Sequence, residues 1–222
     1  MKSNPFSPQY LLFLLVVLSF ILAVIQIGLV TITLAKLGLT VRFALFLLMA
    51  SLLGSTFNIP LFRIHSEPPD IPVEPLYRGL LRHIQREFKG YTIIAINFGG
   101  AIIPILFSIY LMINSNLNML EIILAIFLVS MISYGISRPI TGFGIGMPIL
   151  IAPLAAAFIA ITLNVEQRAP LAYIAGTLGV LIGADIFRIK DIRKLGTPIA
   201  SIGGAGTFDG IFITGLIAVL LT

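Results

Sequence analysis

Seven long apolar stretches dominate this chain: residues 10–35, 41–59, 91–113, 119–136, 146–164, 170–187 and 206–222. A helix that crosses the hydrocarbon of a bilayer needs about 20 mostly apolar residues, and each stretch reaches or approaches that length. Only 10% of the residues are charged, against about 25% in soluble globular domains. The sequence therefore predicts an all-α fold, a polytopic transmembrane helix bundle of about seven spans forming a single membrane domain over 1–222. Six spans with a re-entrant piece is the alternative. The first run is 26 residues long, well beyond the roughly 7–15 of a signal-peptide core, so it reads as a retained first helix.

Basic residues set the expected orientation. With seven spans, the N-terminal side collects Lys2, Arg63, Arg78, Arg82, Arg86, Lys89, Arg138, Arg188, Lys190, Arg193 and Lys194, which is 11 of the 14 Lys and Arg residues. The other side has Lys36, Arg42 and Arg168. The positive-inside rule then puts the N-terminus in the cytoplasm of a multi-pass protein of the plasma membrane. The formal charge of +5 is read the same way: its expected partner is the anionic lipid headgroup on the cytoplasmic face, not nucleic acid. Neither Cys nor Trp occurs, which excludes disulfides and thiol chemistry.

The one sizeable polar loop, 60–90, divides in two. Five prolines (Pro60, Pro68, Pro69, Pro72 and Pro75) predict an extended first half. In the second half Leu76, Leu80, Ile84 and Phe88 recur every four residues, with Arg78, Arg82 and Arg86 on another face. That pattern predicts an amphipathic interfacial helix over 76–89. His83 and Glu87 share one of its faces, but no spacing completes a ligand set, so neither a metal nor a cofactor is expected.

Two acids stand inside the last two apolar segments: Asp185 in Gly179-Val-Leu-Ile-Gly-Ala-Asp185 and Asp209 in Gly203-Gly-Ala-Gly-Thr-Phe-Asp209. An ionisable group in such a segment is costly and marks a functional site by default. The basic run 188–194 that joins the segments holds both acids near the cytoplasmic face, and the short connection makes their helices neighbours. A structural role is the competing reading: Asp185 pairing with Arg188, three residues on, and Asp209 capping a helix beside Thr207. Asn97 and Arg138 fall at the same expected depth. Together these four residues predict a polar pocket open to the cytoplasm.

Glycines are the second signal. Gly142, Gly144 and Gly146, then Gly203, Gly204, Gly206 and Gly210, are expected where two helices begin. Backbone N–H groups there would face an anion with the positive end of the helix dipole; close helix packing through small residues is the alternative. Gly-x-x-x-Pro-Ile-Leu occurs at 100–106 and at 144–150, and Pro139-Ile-Thr-Gly-Phe-Gly144 echoes Pro198-Ile-Ala-Ser-Ile-Gly203, the trace of a repeated hairpin such as many transporters contain.

The motifs Asn97-Phe-Gly-Gly, Arg138-Pro-Ile-Thr-Gly-Phe-Gly144, Ala169 to Asp185 and Ser201-Ile-Gly-Gly-Ala-Gly-Thr-Phe-Asp-Gly-Ile-Phe212 resemble a prokaryotic membrane family catalogued as domain-of-unknown-function family 1614, over roughly 91–222. That resemblance brings no activity with it. A more distant, geometric likeness is to presenilin-type and signal-peptide-peptidase-type intramembrane aspartyl proteases, which carry two catalytic aspartates on adjacent antiparallel helices. It implies Asp185 and Asp209 as the catalytic pair. The chain departs from that pattern with Ala184 before the first acid, where those enzymes have Tyr, and Gly206-Thr-Phe-Asp209 in place of Gly-x-Gly-Asp; their later Pro-Ala-Leu element has no counterpart.

Three functions follow as expectations. The first is a two-aspartate intramembrane peptidase acting on a transmembrane peptide, because two close carboxylates cannot both ionise easily and so divide into a base and an acid. The second is a transporter or channel whose acids bind a proton or small cation. The third is an anionic-lipid-binding or scaffold protein that uses Arg138, the 188–194 run and the glycine-lined backbone.

Overall fold

The computed structural model describes residues 8–67, 90–140, 144–204 and 210–222, without the side chains of 8–11, 13, 14, 21–26, 194 and 210. The amphipathic helix expected over 76–89, with four of the five loop prolines, lies outside the described residues. Pro60 lies in a strand.

The chain is mostly helical. Helix α1 (Pro8–Lys36) turns sharply into α2 (Val41–Gly54), with a bend of 116° between the stretches Ile27–Lys36 and Val41–Gly54. Strand β1 (Asn58–His65) follows, and after the loop come strand β2 (Tyr91–Asn97), a π-helical turn (Phe98–Ile102) and α3 (Ile103–Asn114). Helix α4 (Met119–Ile136) leads to the short strands β3 (Arg138–Ile140) and β4 (Gly144–Gly146), then α5 (Ile151–Leu163) and α6 (Arg168–Val180). Helix α6 runs on through a second π-helical turn (Leu181–Ile186), after which a 3₁₀ turn (Asp191–Lys194), β5 (Ile199–Ile202) and α7 (Gly210–Leu220) close the chain.

Two of these helical stretches are long and apolar enough to cross a membrane: α4, and Arg168–Ile186. The bent pair at α1 and α2 would make a third. Helix α6 stands at the centre, packed on α3, α4, α5 and α7. Glycines let α4 and α6 touch: a Cβ at Gly179 would lie 2.7 Å from Val129 Cβ, and one at Gly183 would collide with the Ser130 carbonyl. Outward-facing positions are apolar instead, with Leu106, Ile113, Ile123, Phe127, Leu154 and Phe158 all exposed.

The all-α expectation is corrected. A three-stranded sheet of order β1-β2-β5 stands at one end of the bundle, with β1 antiparallel to β2 (Asn58 opposite Asn97, His65 opposite Tyr91) and β5 parallel to β2 (Ile93 opposite Ile199). β3 and β4 form a separate hairpin. The physical reason lies in Tyr91-Thr-Ile-Ile-Ala-Ile-Asn97. Aromatic and β-branched residues favour a pleated surface, and this run is apolar because it is buried, not because it is helical. Helices α3 and α5 thus each come after a strand, and each is shorter than the apolar segment it falls in.

Candidate functional site

Where α2 ends and α3 begins, the backbone is drawn into a compact knot. Asn97, fully buried, donates from Nδ2 to the Ser55 carbonyl (2.7 Å) and to Asn58 Oδ1 (3.1 Å), and its Oδ1 accepts from Gly100 N (2.7 Å). Ser51 Oγ donates to the Gly99 carbonyl at 2.7 Å. A side chain at Gly99 would strike the α2 backbone at Ser51 and Ser55, so only glycine lets the two segments cross. Asn58 Oδ1 also accepts from Ser201 Oγ at 2.5 Å, which ties β5 to the same knot.

Gly203 completes it. Its φ of +82° is a conformation that residues with a Cβ rarely adopt, and a Cβ there would lie 2.7 Å from the Ala101 nitrogen. So held, Gly203 N donates to Asp185 Oδ2 at 2.9 Å. Asp185 itself stands in the π-helical turn at the end of α6, half-buried. π-Turns recur at functional sites because the extra residue re-aims the side chains around it.

Beside this carboxylate lies a cavity of about 150 Å³ whose polar wall includes Asp185, Gly144, Thr197, Ser201 and Gly204. At about 30 Å³ per water, it takes a handful of waters or one hydrated ion. The Thr197 hydroxyl is buried and makes no hydrogen bond among the described residues. A buried polar atom of this kind calls for an explanation, and a bound water or ion would supply one.

Four of the residues singled out from sequence are therefore brought together: Asp185, Gly144, Gly203 and Gly204. Asn97 sits behind them as scaffold, joined through Gly100, Ala101 and the Asn58–Ser201 link. Arg138 does not line the cavity; it is exposed on β3, opposite Gly146. Gly142, Gly206, Thr207 and Asp209 lie outside the described residues.

Gly144 begins a strand, with α5 starting only at Ile151, so the dipole argument for anion binding does not apply to it. Gly203 and Gly204 follow β5, and the five residues after them lie outside the described residues.

Arg188 behaves differently from its expected role. Its guanidinium donates to the Tyr134 carbonyl (2.8 Å), the Ser137 carbonyl (2.9 Å) and Ser137 Oγ (3.2 Å), pairs with Asp191 at 2.9 Å, and stacks over the Tyr134 ring at 4.2 Å. It caps the C-terminus of α4, where orphan carbonyls and the negative dipole end favour a cation.

Sequence reasoning passed over Thr197, Ser201 and Asn58. Thr197 and Ser201 both line the cavity, but Thr197 precedes β5 and Ile199, Ala200 and Ile202 line it too, so no periodicity in the sequence marks them.

The family model described as a protein of unknown function, DUF1614, matches residues 52–221. The chain belongs to the DUF1614 family. No curated protein and no solved structure matches it. The motifs that carried the resemblance are the site's own parts in this DUF1614 protein: Asn97-Phe-Gly-Gly forms the knot, Gly144 and Gly204 line the cavity, and Asp185 and Gly203 are bonded to each other. The matched span leaves out α1 and most of α2.

Proposed function

We propose that this DUF1614 protein is a multi-pass protein of the plasma membrane that hydrolyses peptide bonds within transmembrane substrates, using Asp185 and Asp209. Seven spans with a cytoplasmic N-terminus are part of the proposal. Its membrane character draws support from the apolar exterior, since a soluble monomer rarely exposes so extended an apolar surface.

The observation that carries the reaction is the environment of Asp185. A carboxylate in an otherwise apolar helix is fixed by a backbone amide in the wall of a small cavity where Thr197 and Ser201 stand among Ile145, Ile192, Leu195, Ile199 and Ile202. Gly204 of that cavity precedes Asp209 by five residues, so the chain tethers the second acid within about 18 Å of the first acid's pocket at roughly 3.5 Å per residue. In the proposed reaction the ionised acid removes a proton from a water, and that water attacks the scissile carbonyl. The protonated acid donates a hydrogen bond to the carbonyl oxygen and then gives its proton to the leaving amine.

A second reading draws on the Thr197 hydroxyl. With Asp185 and Ser201 it offers oxygen ligands in a cavity of ion size, as a proton- or cation-coupled transporter requires. Anionic headgroups are the proposed lipid partner at the exposed Lys190 and Arg193.

Cleavage of a fluorogenic transmembrane substrate by protein reconstituted in vesicles decides between the two. The expected result is cleavage that falls at least 100-fold in both Asp185→Asn and Asp209→Asn. Cleavage that survives either change, or its absence from the wild type together with an Asp185-dependent ion flux, overturns the peptidase.

A further inference from the structure

The three-stranded sheet has two outer strands, and their edges differ. An unpaired edge is a template for another strand, and proteins blunt such edges with proline, charge or a bulge. The β1 edge carries all three: Pro60, an irregularity in the ladder between Pro60 and Phe62, and Arg63. The β5 edge, Ile199-Ala-Ser-Ile202, carries none of them.

The backbone groups on that edge are open. Along a strand, the N–H and C=O of successive residues point to opposite edges. Ile93 N donates to the Pro198 carbonyl at 3.1 Å, so Pro198, Ala200 and Ile202 face β2, while Ile199 and Ser201 face away. The Ser201 carbonyl accepts from Gly204 N at 3.2 Å. The Ile199 N–H, the Ile199 carbonyl and the Ser201 N–H make no backbone hydrogen bond among the described residues.

A second edge looks onto the same space. Ile145 of β4 stands opposite Pro139 of β3. Proline has no N–H, so these two cannot exchange a pair of bonds, and the bonded residues of β4 are Gly144 and Gly146. Ile145 therefore turns its N–H and C=O away from β3. The cavity beside Asp185 is lined by Ile145 and by Ile199, Ala200, Ser201 and Ile202 in unbroken succession. A cavity on a sheet face would be lined by alternate residues; four in a row place it at the edge.

We infer that this edge takes up an extended segment of the substrate as an added strand, between β5 and β4 and alongside Asp185. The inference rests on the peptidase reading and names its substrate class: a transmembrane peptide whose end unwinds and extends. Chemistry selects the occupant. The edge offers donors and acceptors together, which a peptide backbone complements and an acyl chain does not. Size excludes a helix. One turn is about 10–12 Å across and 5.4 Å high, and even trimmed by a water radius around its sides it fills roughly 200–350 Å³. The cavity has about 150 Å³. Extension also releases each carbonyl from the N–H four residues on that engages it in a helix.

The chain contains no cysteine, so a disulfide to a single-cysteine peptide reads the pairing directly. The reporter is Ile145→Cys, on the β4 wall. Phe127→Cys, on the exposed face of α4, is the lipid-facing reference. Both are made in the full chain with Asp185→Asn, whose amide oxygen can still accept from Gly203, and reconstituted in phosphatidylcholine vesicles. The probe is a synthetic peptide of about 20 Leu and Ala residues followed by six Val and Thr residues, with one cysteine moved through those six positions.

The expected result is cross-linking to Ile145→Cys that alternates along the six positions with a period of two, the strong positions at least tenfold above Phe127→Cys. Adding Ile199→Pro removes an edge N–H that β2 does not use. It should lower the strong yields at least fivefold while leaving the thermal unfolding temperature within a few degrees; should it unfold the sheet, the period of the cross-links alone decides. Yields that peak every third or fourth position, as a helix gives, overturn the inference. So do yields no higher than at Phe127→Cys, links only between two copies of the chain, or alternation that a folded Ile199→Pro variant leaves untouched. The two readings fail separately. Alternating cross-links without any wild-type cleavage remove the peptidase and leave the strand site, whereas cleavage that Ile199→Pro leaves unchanged does the reverse.

Discussion

At the scale of single residues, the site depends on what glycine permits. Gly203 combines a left-handed backbone, a close approach to Ala101 and the amide that holds Asp185. Gly203→Ala should therefore cost more than the roughly 1–3 kcal/mol of an ordinary strained φ, because Gly203 would also have to back away from the Ala101 nitrogen. The consequence is a drop in thermal stability in detergent together with loss of any Asp185-dependent activity. Gly135 makes the matched control. It lies in α4 with nothing within 4 Å of where a Cβ would stand, so Gly135→Ala should be neutral or gain up to about 1 kcal/mol from helix propensity. Equal losses in the two variants would mean that the Gly203 contact carries no special weight.

Among elements, α4 and β2 mark the two ends of what sequence could tell. The apolar stretch 119–136 became α4 residue for residue, because Asn118 caps it in a reciprocal box with Glu121 and Arg188 closes its far end. The stretch 91–113 did not stay whole. A buried strand and a buried helix are both apolar runs, and hydropathy alone does not separate them, so β2 was legible only in its β-branched composition. The candidate site was visible as residue types, Asp185 and the glycines above all, while its assembly was not. What brings Gly203 to Asp185 is strand pairing between β2 and β5, and sequence gives no register for that. The capping of α4 can be tested on its own. Arg188→Ala removes three hydrogen bonds to the α4 terminus and an ion pair with Asp191, and should cost about 2–3 kcal/mol. Arg188→Lys should restore less than half, since a single ammonium cannot reproduce the planar fork and its stacking on Tyr134. Full rescue by lysine would reduce the interaction to simple charge.

For the molecule as a whole, the two ends of the bundle differ in kind, and the proposed orientation in a bilayer rests on that difference. One end holds both sheets, the acid-lined cavity and the 188–194 basic run. The other is made of short helix connections, where Asn164 donates to Glu121 at 2.9 Å to join the end of α5 to the start of α4. Between the ends runs the 19-residue stretch Arg168–Ile186, about 28 Å long at 1.5 Å per residue and matched to a hydrocarbon core of about 30 Å. The lack of cysteine again makes the arrangement measurable. Glu166 and Lys190 are exposed on either side of that stretch, so Glu166→Cys and Lys190→Cys report its two ends. In sealed right-side-out vesicles, a membrane-impermeant maleimide should label Glu166→Cys and spare Lys190→Cys until the membrane is opened. Asn116→Cys, in the α3–α4 connection, should follow Glu166→Cys because the Asn164–Glu121 bond keeps those loops together. The inverse pattern would turn the molecule over and put the acids on the outer face. Labelling of Glu166→Cys and Lys190→Cys from the same side would remove Arg168–Ile186 as a span, and the bundle would then need to lie in the membrane in some other way.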